Sequence, residues 1–282
     1  MDEKLQKVLA RAGIGSRREM ERWIEQGRVK VNDQVATLGD RVSSDDNIKV
    51  DNKFISQKRT EVQQRVIAYH KPVGEVCTRD DPEGRTTIYS NLPKLRTGRW
   101  ISIGRLDLNT SGLLLLTTDG ELANKLMHPS SEIEREYAVR ILGEVSPEII
   151  KQLKTNVPLD DGDAHFTDVK ISGGEGANHW YNVVLKEGRN REVRRLWEYF
   201  GFAVSRLMRT RYGGITLNRR IRPSKHEDLN DKEIAALYES VGLKYTHSDD
   251  SAKKDKSRFK SNLTAKQTKR SVYKGKSSNK RH

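Results

Sequence analysis

GRLDLNTSGLLLL, residues 104–116, decides how the rest of the chain is read. Residues 100–103, WISI, read as a short strand, and the four leucines after Gly112 read as a buried strand. Between them Asp107 falls in a tight turn rich in Asp, Asn, Thr, Ser and Gly, residue types that favour turns. Arg105 precedes it by two positions. An Asp held between a core strand and a cationic neighbour stays ionised and is available as a nucleophile or a base. Taken alone, the same residues also fit a simple Asp–Asn turn beside a surface arginine.

Working outward, TTDGELANKLMHP (117–129) predicts a helix that opens at Gly120 and is closed by Pro129. EREYAVRI (134–141) alternates so that Tyr137, Val139 and Ile141 share one face. SPEIIKQLK (146–154) is a helix with Ser146 as cap and Pro147 at its first position. HFTDVKI (165–171) and WYNVVLK (180–186) are strands joined across SGGEGAN. Residues 191–200 form a helix, 204–213 a strand and 231–240 a last helix; VIAYH (66–70) is a strand upstream. Many strands with few helices between them give the α+β class, with a large, mainly antiparallel sheet.

The first 60 residues form a separate module. KLQKVLARA (4–12) places Leu5, Val8, Leu9 and Ala12 at helical spacing. SRRE (16–19) is a capping box that starts a second helix, which Gly27 should end. VKV, Asn32-Asp33 and VATLG then read as a hairpin, followed by a short strand near residue 50. The expected domains are 1–60, 61–245, and a disordered basic tail over 246–282, with residues 56–64 as linker.

Composition excludes several classes. The 282 residues carry 53 Lys and Arg against 39 Asp and Glu, a formal charge of +14. Residues 251–282 hold 12 of the bases and only one acid, Asp255, so the rest of the chain, with 41 bases and 38 acids, is nearly balanced. No apolar run approaches the ~18–20 residues that span a bilayer. The single cysteine, Cys77, cannot form an internal disulfide, and the seven histidines lack metal-ligand spacing. These features point to a cytoplasmic protein with no structural metal that meets a polyanion.

KLQKVLARAGIGSRREMERWIEQGRVKVND resembles the S4 RNA-binding domain, which implies that Arg11, Arg17, Arg18 and Arg22, set around the first inter-helix turn, contact structured RNA. GRLDLNTSGLLLLTTDGELANKLMHP resembles the central motif of pseudouridine synthases of the RsuA/RluB group. HKPVGEVCTRDDPEGRTTI (70–88), EREYAV and EGRNREVRRLW (187–197) resemble that family's other segments, in the same order.

The resemblance implies isomerisation of a uridine of large-subunit ribosomal RNA to pseudouridine, without cofactor or metal. It assigns the nucleophile to Asp107, the ring that stacks on a flipped base to Tyr137, and the cation that pairs with the carboxylate to Arg194. Either Arg191 or Arg195 could make that pair instead, leaving Arg194 for RNA. By helical spacing Arg191, Arg194 and Arg195 should share one face, with Arg191 and Arg195 on RNA. Arg105 is implied to hold the flipped conformation; Leu207, in VSRLMRTRYG, is a candidate to pack under the base, although any core leucine would read the same way. The expected partner is the ribosomal RNA or a pre-ribosomal particle, met by a monomer with no membrane and no nucleotide cofactor.

Other signals are discounted. Asp80, Asp81 and Glu83, like Asp160, Asp161 and Asp163, sit beside Gly and Pro as turn residues, and GGEG (173–176) lacks the spacing of a dinucleotide loop. The basic tail reads as a counterion-releasing arm. Two rival functions remain at this point: an RNA-binding assembly factor without chemistry, and a hydrolase that cleaves glycosidic bonds with a carboxylate pair.

Overall fold

Ser16 caps the second helix as its sequence demands: its Oγ accepts the Glu19 N–H at 3.1 Å, and the Glu19 carboxylate accepts the Ser16 N–H at 3.1 Å. The structure is a computed structural model that describes residues 2–56, 64–95 and 98–246. The basic tail and most of the expected linker therefore lie outside the described residues.

The N-terminal module runs β1 (Glu3–Lys4), α1 (Leu5–Arg11), α2 (Arg17–Glu25), β2 (Val29–Val31), β3 (Gln34–Val35), β4 (Arg41–Val42), β5 (Ile48–Val50) and β6 (Lys53–Ile55). Its sheet has the order β3-β2-β5-β6, and β1 pairs with β4. Asn32 and Asp33 take φ of 50° and 66°, the left-handed pair that a two-residue hairpin turn requires. Asp51 and Asn52 repeat this at 46° and 61° and turn β5 into β6, a strand the sequence reading did not anticipate. Leu5, Val8, Leu9, Met20, Ile24, Val29, Ile48 and Val50 make a small core of their own. Ala12, expected on the same face, is exposed as the C-cap.

The remainder runs β7 (Val66–Lys71), β8 (Ile101–Ile103), β9 (Ser111–Thr117), α3 (Gly120–Met127), β10 (Arg135–Leu142), α4 (Pro147–Leu153), β11 (Val157–Leu159), β12 (Gly162–Ala164), β13 (Asp168–Glu175), β14 (Asn178–Leu185), α5 (Glu192–Tyr199), β15 (Val204–Tyr212), β16 (Ile215–Thr216), β17 (His226–Asp228) and α6 (Asp231–Glu239). Nine described strands make one sheet, along β13-β14-β10-β15-β9-β7-β17, with β16 added to β15 and β8 to β9. Every pair is antiparallel except β9 with β15. The fold is thus α+β with a mainly antiparallel sheet.

The parallel junction explains one glycine. Gly112 faces Arg209 in register at φ 106°, and a Cβ there would lie 2.2 Å from the Arg209 carbonyl oxygen. Only glycine lets the two backbones approach so closely. The core lies against this sheet. Trp197 of α5 packs its ring between Phe166 and Tyr181, at centroid distances of 5.9 and 5.1 Å. Val193, Leu196 and Trp197 are buried and Phe200 partly so, as the helical spacing predicts.

Candidate active site

The turn between β8 and β9 is fixed through its backbone. The Thr110 N–H closes it on the Asp107 carbonyl at 3.0 Å. Lys71, at the end of β7 and fully buried, spends its ammonium on three carbonyls: Pro72 at 3.0 Å, Asp107 at 3.0 Å and Thr110 at 2.8 Å. Gly74 N–H donates to the Leu108 carbonyl at 2.9 Å, and Arg194 Nη2 donates to the Asn109 carbonyl at 2.9 Å. All four carbonyls of residues 107–110 are therefore held, which fixes where the Asp107 side chain starts. Burial pushes the Lys71 pKa down, while the charges of Cys77, Glu75 and Asp107 oppose that.

Behind Lys71 a second buried group steadies the segment after β7. The Glu75 carboxylate accepts the Tyr69 hydroxyl at 2.6 Å, the Asn91 amide at 3.1 Å and the Ser224 hydroxyl at 3.1 Å. Burial, reinforced by the Glu75 hydrogen bond, pushes the Tyr69 phenol up. Cys77 is packed rather than reactive: its thiol meets the Leu106 N–H and carbonyl at 3.4 and 3.3 Å, and burial pushes its pKa up.

Asp107, half-buried, opens on a cavity of about 690 Å³. The cavity brings together Asp107, Arg105, Tyr137, Leu207 and Arg191. Tyr137, on β10, and Leu207, on β15, are 8% and 5% exposed and present apolar faces to it. Arg105 is exposed at the rim, with no partner among the described residues.

Three expectations need correction. Arg191, Arg194 and Arg195 do not share a face. Arg191 is the N-cap of α5, left-handed at φ 49°, so it lies outside the helical repeat and reaches Glu198 at 3.5 Å. Arg195 turns outward to a two-bonded pair with Asp161, at 2.8 and 2.9 Å. Arg194 turns inward, 8% exposed. It donates to the Val204 and Asn109 carbonyls rather than to the Asp107 carboxylate. Its charge still feels Asp107: burial and then Arg191 lower the Arg194 pKa, while Asp107 and Glu198 raise it. Among the described residues no ion pair is formed by Asp107, so the direct pair expected from the sequence is replaced by a grip on the backbone two residues later. Arg11, finally, is paired with Glu3 at 2.5 Å, whereas Arg17, Arg18 and Arg22 are exposed and have no partner among the described residues.

Sequence reasoning missed three cavity residues. Arg135, 8% exposed, donates to the carbonyls of Ile133, Lys186 and Glu187 at 2.9, 2.5 and 3.0 Å and so holds the loop that leads into α5. Glu192, 3% exposed, accepts the Arg189 N–H at 2.9 Å, and burial pushes its carboxyl up. Arg209 is 2% exposed on β15. The available signal was parity: Arg135 shares the inward phase of Tyr137, and Arg209 that of Leu207.

Known proteins match both parts. The S4 domain family matches residues 3–48, and the family described as RNA pseudouridylate synthase matches residues 65–199. A protein of Salmonella typhi called ribosomal large subunit pseudouridine synthase B is 55% identical over 274 residues, 96% of this chain and 94% of its own length. A Yersinia pestis protein of the same name is 54% identical over 96% of this chain and 86% of its own length. A Pseudomonas aeruginosa protein of that name is 59% identical over 244 residues, 86% of this chain, but the match spans only 63% of the longer relative. A crystal structure of a pseudouridylate synthase superposes with a TM-score of 0.59 at 26% identity, covering 83% of this chain and 99% of that one. The motif turn, the sheet that carries it and these likenesses agree: the chain belongs to the RNA pseudouridylate synthase family and carries an S4 domain at its N-terminus.

Proposed function

We propose that this protein isomerises a uridine of large-subunit ribosomal RNA to pseudouridine, with Asp107 as the nucleophile. The observation that carries the reading is the Asp107 turn, locked by Lys71 and Arg194 and opening on a cavity lined by the buried ring of Tyr137. The names of the relatives supply the RNA class. The reaction breaks the N1–C1′ bond, turns the uracil and joins C5 to the same sugar carbon, so no atom is gained or lost.

Each role follows from a physical need. Extruding a uridine from folded RNA costs a few kcal/mol. Stacking on Tyr137 returns about 1–3 kcal/mol. Leu207 closes the apolar slot, and Arg105 at the rim keeps the flipped nucleotide from returning. Arg17, Arg18 and Arg22 grip phosphates through the S4 module, and Arg191 contributes at the cavity mouth. Arg11 and Arg195, already paired with Glu3 and Asp161, join only if RNA displaces those carboxylates. The protein works as a monomer in the cytoplasm, on free RNA or a pre-ribosomal particle, with the S4 module over 1–60 and the synthase domain over 61–245.

Asp107→Asn tests the reading. The variant should bind a large-subunit ribosomal RNA transcript like the parent while pseudouridine formation falls at least about 10³-fold. Undiminished turnover would remove Asp107 from the mechanism. Release of free uracil by the parent would favour a hydrolase, and binding without any product an assembly factor.

A further inference from the structure

Arg209 is a buried cation without an anion. Of its guanidinium nitrogens only Nε donates, to the Leu113 carbonyl at 2.7 Å. Nη2 is buried with no hydrogen-bond partner, and no ion pair is formed by this residue among the described ones. The ring of Tyr212, 5.1 Å from the guanidinium carbon, offers a π face but no acceptor. An unpaired buried charge is costly, and a native protein that keeps one usually keeps it for something absent from the unliganded state.

Its position says what that is. Arg209 lines the same cavity as Asp107. It stands directly across from Tyr137 in the β10–β15 register, while Leu207 stands across from Val139. Directly opposed residues project side by side on one face of a sheet. A base stacked on Tyr137 would therefore lie beside the guanidinium. Uracil's edge carries two carbonyl oxygens, the acceptors that an in-plane N–H donor suits. Thr110 Oγ1, also buried without a partner, lines the same cavity and offers a second hydrogen bond.

We infer that Arg209 is a further catalytic residue: its guanidinium binds a carbonyl oxygen of the flipped uracil and stabilises the negative charge that collects there when the glycosidic bond breaks. This rests on the proposed uridine isomerisation. As the Asp107 carboxylate bonds to C1′ and N1–C1′ breaks, the bonding pair passes to the uracil ring and spreads over O2 and O4. It is consumed when C5 bonds to C1′ and the Asp107 carboxylate leaves with its electron pair; the C5 proton is then lost and N1 gains one. Arg209 stays protonated throughout and transfers nothing. A fixed donor aimed at developing charge in a site shielded from water contributes typically 10²–10³-fold to turnover.

Arg209→Gln keeps an amide donor for the Leu113 carbonyl but removes the charge, and Arg209→Lys keeps the charge. On the ribosomal RNA that the parent modifies, kcat of Arg209→Gln should fall at least about 100-fold. KM and the melting temperature should hold, and Arg209→Lys should recover part of the loss. A near-parental kcat in Arg209→Gln would overturn the inference. So would a raised KM with kcat intact, which would make Arg209 an RNA-backbone contact. If Arg209→Gln does not fold, the parent enzyme decides. Placing 2-thiouridine or 4-thiouridine at the target exchanges one carbonyl oxygen for a poorer acceptor. Slowing at either position supports the contact, and full rates at both overturn it. Should the parent itself form no pseudouridine, the isomerase reading fails first, and that result is visible before any variant is made.

Discussion

The S4 module and the synthase cavity both rely on cations, and they place them in opposite ways. Arg17, Arg18 and Arg22 are exposed on α2, and their side chains hold nothing among the described residues. Lys71, Arg135 and Arg194 are buried and spend their donors on backbone carbonyls. The difference separates two uses of positive charge. An exposed guanidinium is free for a phosphate and its effect is screened by salt. A buried one has exchanged water for carbonyl oxygens and works by fixing geometry, which salt hardly reaches.

Substitutions on the two sides should therefore fail differently. The largest effect is expected from Lys71→Met, which leaves the Pro72 and Thr110 carbonyls without a donor and the Asp107 carbonyl with only the Thr110 N–H. Each orphaned buried acceptor costs about 1–3 kcal/mol, so unfolding by denaturant should show a loss of at least about 2 kcal/mol. The folded fraction should turn over about 10²-fold more slowly because Asp107 is no longer held in place. Parental stability in this variant would mean that the turn needs no internal support.

The combined Arg17→Gln, Arg18→Gln and Arg22→Gln variant should instead leave kcat and melting unchanged and raise KM. The slope of log affinity against log salt should become shallower by about 2–3 if all three meet phosphate. An unchanged slope would take these arginines off the RNA and blur the contrast between the regions.

The smallest effect belongs to Glu192→Gln. Burial holds the Glu192 carboxyl above its ordinary value of 4.5, so its protonated form fits the fold better. Stability from this group is complete below that value and is lost as pH rises through the higher folded-state pKa. Glutamine can still accept the Arg189 N–H. Its melting temperature should gain on the parent as pH climbs from 4 towards neutrality in steps of about one unit. A gap that narrows over that range would reverse the assigned direction.

Much of this architecture was legible locally. The capping box at Ser16, the Ser146 cap, the Asn32-Asp33 turn and the alternation of β10 each involve residues within a few positions, where spacing is informative. What escaped was carried over long stretches of chain. Lys71 meets Thr110 across 39 positions, Arg194 meets Asn109 across 85, and Arg209 meets Leu113 across 96. No periodicity reports such pairings. The misplacement of Arg191 has a different origin: the helical repeat was extended one residue too far, into a left-handed cap. Arg194 was expected to pair with the Asp107 carboxylate, but its acceptors are main-chain carbonyls, which a motif of side chains cannot show.

The central claim is that the cavity beside the β8–β9 turn takes a uridine pulled from its stack. An experimental structure of the Asp107→Asn variant bound to the ribosomal RNA modified by the parent tests it most directly. The uracil should lie flat on the Tyr137 ring, with the sugar C1′ about 3–3.5 Å from the residue 107 side chain. A target uridine still stacked within the RNA, with the cavity filled by solvent in a complex held only through the S4 module, would contradict it.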